Sequence, residues 1–273
     1  DMQGGQVLDD VRRLGRDIEV RHVVNTHVHF DHTFGNVAFE AATIHAHDNV
    51  GRTLADAAEH IKAALRADPD AAPEFGYTER DAAEVVATPV RGPDRTFGSN
   101  ATIDLGDRVV TMTYAGRGHT DGDVAVLVPD TDAMFLGDLV EESAHPSFGS
   151  DCWPFEGADT LTSHLVQVAE RPVVVPGHGP PVGGAFVTRQ SMNVLLQTLE
   201  REGYVTRPAE APVGKVLPTR LTPRGRRSLD KATVAVRSVE VRMLAGMTET
   251  EQSDAFRALQ SMIRCLRDGT DGA

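Results

Sequence analysis

The segment His27-Val28-His29-Phe30-Asp31-His32 places three imidazoles and one carboxylate within six residues. Neutral imidazole and carboxylate both bind zinc, at about 2.0–2.2 Å. If the segment is extended, His27 and His29 point the same way and can grip one ion. Asp31 and His32 lie just beyond and can bend back toward a second ion. The spacing therefore suits a two-metal site. The alternative is a polar loop of solvated histidines. The apolar lead-in His22-Val23-Val24-Asn25-Thr26 weighs against it, because it places the cluster at the end of a buried strand.

Three later segments offer further ligands beside glycines, each just past an apolar run. They are Gly118-His119-Thr120, Gly137-Asp138 and Gly177-His178-Gly179. Glycine lets the backbone turn tightly, so that a neighbouring side chain can reach a common point. Taken alone, each is as readily a turn residue as a ligand. Taken in order, they raise the candidates to seven: His27, His29, Asp31, His32, His119, Asp138 and His178.

The surrounding pattern supplies the elements that must hold these residues. Apolar spacing predicts helices over 5–14, 48–66 and 159–169. Strands are expected at 20–26, 42–46, 102–105, 109–115, 124–128, 134–136 and 173–175, with a proline-bearing loop at 68–77. Beyond Phe186 the character changes. Thr188 reads as the N-cap of a helix closed by Gly203. Short strands follow at 205–207 and 216–221. Thr222-Pro223 opens a long helix to about Ala245, and Thr248-Glu249-Thr250-Glu251 is a capping box for a last helix.

Composition bounds the rest. The chain has 273 residues, is 40% hydrophobic and carries a net charge of −13. Residues 1–186 hold 13 Lys/Arg against 30 Asp/Glu, whereas residues 187–273 hold 14 against 10. An acidic body argues against nucleic acid as the partner of the first part, and the basic tail leaves it open for the second. No apolar run is long enough for a membrane span. Two distant cysteines, Cys152 and Cys265, form no disulfide framework, so a reducing cytoplasm is the expected setting.

The ordered motifs HVHFDH, GHT, GD and GHG resemble those of the metallo-β-lactamase-fold hydrolases. By that resemblance His27, His29 and His119 hold one zinc, Asp31, His32 and His178 hold the other, and Asp138 bridges both. Two zinc ions are the implied cofactor, with iron or manganese as alternatives. Such a pair acidifies a shared water, so that hydroxide attacks at neutral pH. Asp31 is the catalytic candidate, orienting that nucleophile or shuttling a proton. Many zinc β-lactamases carry a cysteine where Asp138 stands, and neither cysteine here fits that place. The substrate is expected to be a small ester, lactone, thioester or amide. Phe148, Trp153 and Phe155 are candidates for a pocket rim, with core packing as the alternative. His45 and His47 fall on no family ligand position and are expected to have surface or packing roles rather than to bind metal.

The expected fold is therefore α/β, an αββα metallo-β-lactamase sandwich over residues 1–186 whose first strands are missing. Only 26 residues precede the first motif, and apolar surface is expected to be left exposed. Residues 187–273 resemble the recognition helix, wing and dimerisation helices of MarR-type winged-helix regulators, in part. Arg189, Gln190, Ser191 and Asn193 are the residues that would face a DNA major groove. The long helices are expected to pair two chains. A DNA-binding regulator with a fused ligand-sensing domain, and an inactive fusion, are the competing readings.

Overall fold

The computed structural model describes residues 2–15, 18–67, 79–143, 149–169, 173–208, 219–248 and 250–258. The chain divides into two compact units, residues 1–198 and 199–273.

The first unit is built on two sheets. One is three-stranded and parallel, in the order β1 (His22–Val24), β2 (Thr43–His47), β3 (Arg95–Phe97). Val24 pairs with His45, and His47 with Phe97. The other has five strands in sequence order: β4 (Asn100–Asp104), β5 (Val109–Thr113), β6 (Ala125–Val128), β7 (Ala133–Glu141) and β8 (Val173–His178). The first four run antiparallel, and β8 returns parallel to β7.

Side-chain alternation along the strands creates the layers. Met112 and Val126 point from the five-stranded sheet toward Val24 and Phe97 of the other. The next residue back, Ala125, faces the opposite way with Met134, Leu136 and Val174. There it packs on Leu161 and Val168 of α5 (Pro154–Ala169) and on Val187 of α6 (Gly184–Arg201). On the outer face of the small sheet, Ala46 meets Val50 and Leu54 of α3 (Asp48–Ala67). The result is an αββα sandwich. Three strands face five, so part of the inner face is uncovered. Phe135 lies across from Val126 on that face and is 40% exposed.

Several elements differ from the sequence expectation. Helix α1 (Met2–Leu14) matches the helix expected at 5–14, whereas helix α4 (Glu79–Ala87) and strand β3 stand where no element is expected. Helix α4 is short, and its apolar residues Ala82, Val85 and Val86 complete a small cluster with Leu65. The strand Arg95–Phe97 has a single large apolar residue and no alternation to read. Strands β7 and β8 run past Leu136 and Val175, so Asp138, Gly177 and His178 lie inside paired strands rather than beyond their ends. Helix α6 starts at Gly184, four residues before the expected cap. Thr188 sits within it and donates its hydroxyl to the Gly184 carbonyl. The loop expected at 68–77 lies outside the described residues.

The second unit is helical with one small ladder. Gly203, at φ +71°, ends α6 in the left-handed region that glycine tolerates. Val205–Thr206 pairs antiparallel with Arg220–Leu221. Thr222 then caps helix α7 (Pro223–Leu244), accepting from the Gly225 amide at 3.0 Å, with Pro223 in the first turn. The Thr248–Glu251 capping box forms, with the Thr248 amide donating to the Glu251 carboxylate. Among the described residues no helix is long and apolar enough to cross a membrane.

Candidate metal centre

Seven side chains converge at one end of the sandwich, where the two sheets meet. His27 and His29 follow β1. Their loop is tied to the large sheet by the Val124 amide, which donates to the Thr26 carbonyl at 2.7 Å. His29 also leads into α2 (Phe30–Thr33), whose first turn carries Asp31 and His32. Asn25 braces the whole loop. Its amide donates to the His32 carbonyl and pairs reciprocally with the Asn36 side chain. Sequence reading missed Asn25, because a buried asparagine beside a motif looks like any turn residue.

The first ligand group is His27, His29, His119 and Asp138, with candidate atoms all within 4.8 Å of one another. The three rings stand nearly perpendicular: 82° between His27 and His29, 88° between His27 and His119, and 84° between His29 and His119. His119 Nε2 lies 2.9 Å from His29 Nδ1. The loop carrying His119 is closed by Asp123, which accepts from the Thr120 amide and hydroxyl. Burial pushes the Asp123 carboxyl up to about 7.

The second group is Asp31, His32 and His178. His32 Nε2 and His178 Nε2 each lie 3.2 Å from Asp31 Oδ2. Asp138 stands between the groups. One carboxylate oxygen is 3.6 Å from His27, 3.4 Å from His119 and 3.4 Å from His178, while the other is 3.2 Å from His32. A bulge in β7 aims it there. Gly137 takes φ +51° at the bulge, and Thr26 occupies the space a side chain would need.

The donor set fits a divalent cation. His27 is 1% exposed, and its inward Nε2 has no hydrogen-bond partner among the described residues. A buried polar atom without a partner is costly, and a cation beside Asp138 would satisfy it. All seven candidate side chains offer nitrogen or oxygen, which suits zinc, iron or manganese.

The site's histidines differ in charge: in the first group burial lowers His29, but its hydrogen bond to Asp151 outweighs that and raises it. Burial, with the neighbouring imidazoles, holds His27 well below the usual range. Burial likewise holds His119 at about 4, despite Asp138. Both are neutral near pH 7, as ligation requires. Burial also lowers His32, but its hydrogen bonds to Asp138 and Asp31 outweigh that and raise it to about 10. His178 is raised by its hydrogen bond to Asp31. The Asp31 carboxyl opposes burial and is held well below the carboxylate range by His178 and His32.

The remaining site candidates fall in different places. Trp153 is 38% exposed, stacks under the Arg117 guanidinium at 3.7 Å and donates its amide to the Gly118 carbonyl. Phe155 lies in the first turn of α5, and Phe148 lies outside the described residues. Gln190 and Ser191 do not face outward as a recognition helix requires. Both are buried, and the Gln190 amide accepts from the Glu141 amide and donates to its carbonyl. Arg189 and Asn193 are exposed on the same helix. His45 is buried against His22 at 3.1 Å, and His47 stacks on Tyr114. Asp151, absent from the sequence reading, accepts from His29 Nε2 at 2.9 Å. It lies 122 positions from that histidine in a turn with no motif, so no local pattern marks it.

A sequence profile of the Metallo-beta-lactamase superfamily matches residues 8–200. Among curated proteins, the chain is 27% identical over 178 residues to the acyl-coenzyme A thioesterase MBLAC2 of Gallus gallus. That match covers 63% of this chain and 61% of the relative. An HTH-type transcriptional repressor of Mycobacterium tuberculosis is 41% identical over 78 residues, covering 29% of this chain and 56% of the repressor. The chain thus spans less than two thirds of either relative. Among solved structures, the DIM-1 metallo-beta-lactamase superimposes with a TM-score of 0.51 at 19% identity. It covers 71% of this chain and 74% of that one, a likeness of fold alone.

Proposed function

The chain belongs to the metallo-beta-lactamase superfamily, and from that premise we propose that it is a dinuclear zinc hydrolase of small acyl substrates. The observation that carries this reading is the pair of ligand groups joined at Asp138. His27, His29 and His119 would hold one ion, and Asp31, His32 and His178 the other, with Asp138 shared. When bound, the ions supply Lewis acidity, which acidifies water and polarises a carbonyl oxygen. The chain's residues do the rest. Asp31 orients the attacking water and takes its proton. Buried His27 and Asp138 keep the inner wall of the site free of bulk water. Trp153 and Arg117 form a rim beside the His119 loop against which a substrate can lie.

Thioesters rank first among the ester, lactone, thioester and amide substrates, because a relative carries the name acyl-coenzyme A thioesterase. The test is metal analysis of the purified chain, followed by a hydrolysis screen over a lactone, an acyl thioester, a β-lactam and a phosphoester. About two zinc ions per chain and turnover of one acyl class are expected. A chain that takes up no zinc sinks the reading. The reducing cytoplasm is its proposed setting.

A second reading, a DNA-binding regulator, is favoured by the 41% identity to a repressor. Helix α7 exposes Val234 and Val241 on one side and Val236, Val239 and Met243 on the other, apolar surface that a second copy would cover in part. Light scattering on the full chain and a salt-dependent mobility shift with promoter DNA test this reading. A monomer with no preference over random DNA removes it.

A further inference from the structure

We propose that Asp151 is a positioning residue of the metal centre, accepting the Nε2–H of His29 and so committing that ring to Nδ1 as its metal-facing atom. The inference rests on the dinuclear reading above. A neutral imidazole has one N–H and one lone pair, and the partner of one nitrogen decides which is which. His29 Nε2 lies 2.9 Å from the Asp151 carboxylate, an acceptor only, so Nε2 carries the proton. Its Nδ1 then presents the lone pair inward, 2.9 Å from His119 Nε2.

His29 differs in this from its neighbours. His27 turns Nε2 inward and leaves Nδ1 against the Thr26 hydroxyl at 3.2 Å. His119 also points Nε2 at the shared Asp138. His29 alone of the three uses Nδ1, and so needs an outer partner on the opposite side of its ring.

Asp151 is held where it can serve. The Cys152 amide closes a turn on the Gly149 carbonyl, and the Trp153 amide and the Cys152 thiol both donate to the Gly118 carbonyl. Gly118 immediately precedes His119. One backbone anchor therefore sets both a ligand and the partner of a second ligand. Partners of this kind commonly govern metal affinity by roughly 10–100-fold.

The test compares the full chain with Asp151→Ala and Asp151→Asn. Zinc affinity is measured by competition with a chromogenic chelator, and the His29 tautomer by ring 15N shifts of the zinc-loaded protein. Asp151→Ala is expected to weaken zinc binding by roughly 10–100-fold and to shift the His29 nitrogens away from the Nε2–H form. Asp151→Asn keeps a side-chain oxygen acceptor and is expected to recover most of the affinity and the wild-type tautomer. Unchanged affinity and tautomer in Asp151→Ala overturn the inference alone. So does equal weakening in both variants with the tautomer intact, since that marks a charge effect rather than positioning. A wild-type chain that binds no zinc removes the dinuclear reading, and this inference with it.

Discussion

Gly177 packs so closely on Asp138 that a methyl group at its Cα would overlap the Asp138 carboxylate. The two residues sit on neighbouring parallel strands, where the β7 bulge pairs Gly137 with Pro176. Gly177 therefore helps to fix where the Asp138 carboxylate stands. Its role is steric, since its φ lies outside the left-handed region.

Gly177→Ala is accordingly expected to displace Asp138 and to reduce bound zinc below one ion per chain. The same methyl would press on the Gly137 backbone, 2.8 Å away. Overpacking of this kind costs about 1–3 kcal/mol. Zinc content and a urea melt check both effects. Full zinc content in the alanine variant would show that the strands separate easily and that the contact does not matter.

Removing ligands from the two groups should have unequal effects. Asp31→Ala strips an acceptor from His32 and His178 but leaves the His27, His29 and His119 group untouched. One ion per chain should remain, with kcat lowered by roughly 10²–10⁴ or more, because the variant loses the second ion together with the group that orients the water. Asp138→Ala should empty both groups, because its carboxylate reaches His27, His32, His119 and His178. Metal content measured alongside steady-state rates separates the cases. Identical metal loss in both variants would contradict a shared Asp138.

Much of this site was legible in the chain because its residues sit in short motifs. HVHFDH, GHT, GD and GHG each carry their ligands within a few positions, so type and spacing were visible before any fold. The sandwich was expected from the resemblance those motifs carry, while continuous apolar runs such as Val124–Val128 marked individual strands. What stayed hidden depends on tertiary contact. Asp151 reaches His29 across 122 positions, and Asn25 acquires its role only by meeting Asn36. Asp138 seemed to follow a strand, because a bulge interrupts the apolar pattern and the pairing resumes beyond it at Glu141 and His178. Gln190 and Ser191 were expected on a DNA-facing helix from the resemblance to winged-helix regulators. Their side chains are instead buried, with Gln190 bound to the Glu141 backbone, a contact no local pattern encodes.

Zinc uptake should release protons, foremost from His32. In the metal-free chain, carboxylate partners raise His32 to about 10 and also raise His178. His32 is then largely protonated near neutral pH and His178 holds its proton more tightly than an ordinary imidazole, whereas His27 and His119 are already neutral. The sign follows from His32, whose folded pKa is above its ordinary value of 6.5. Its contribution to metal-free stability is full below that value and is lost as pH rises toward about 10. Zinc competes with the same protons, so second-site affinity should rise with pH, roughly tenfold per unit for each proton released. Calorimetry in two buffers of different ionisation enthalpy counts the protons. Release of none at pH 7.5 would refute this assignment.

His164 offers a prediction about stability that leaves the site alone. It is 2% exposed, and its Nε2 has no hydrogen-bond partner among the described residues. Its helix neighbours one turn away, Leu161 and Val168, belong to the apolar core. An unsatisfied buried polar atom costs about 1–3 kcal/mol, and leucine has a similar size without that atom. Burial lowers the His164 pKa. A depressed pKa means stability present above the ordinary value of 6.5 and lost as pH falls, because the unfolded chain takes up the proton more readily. His164→Leu should therefore match or exceed the wild type at pH 7.5 and gain further on it at pH 5. Zinc content and turnover should be unchanged, since His164 belongs to neither ligand group. Urea melts at the two pH values decide the matter. A loss above about 1 kcal/mol at both would mean that the imidazole makes a favourable contact worth keeping.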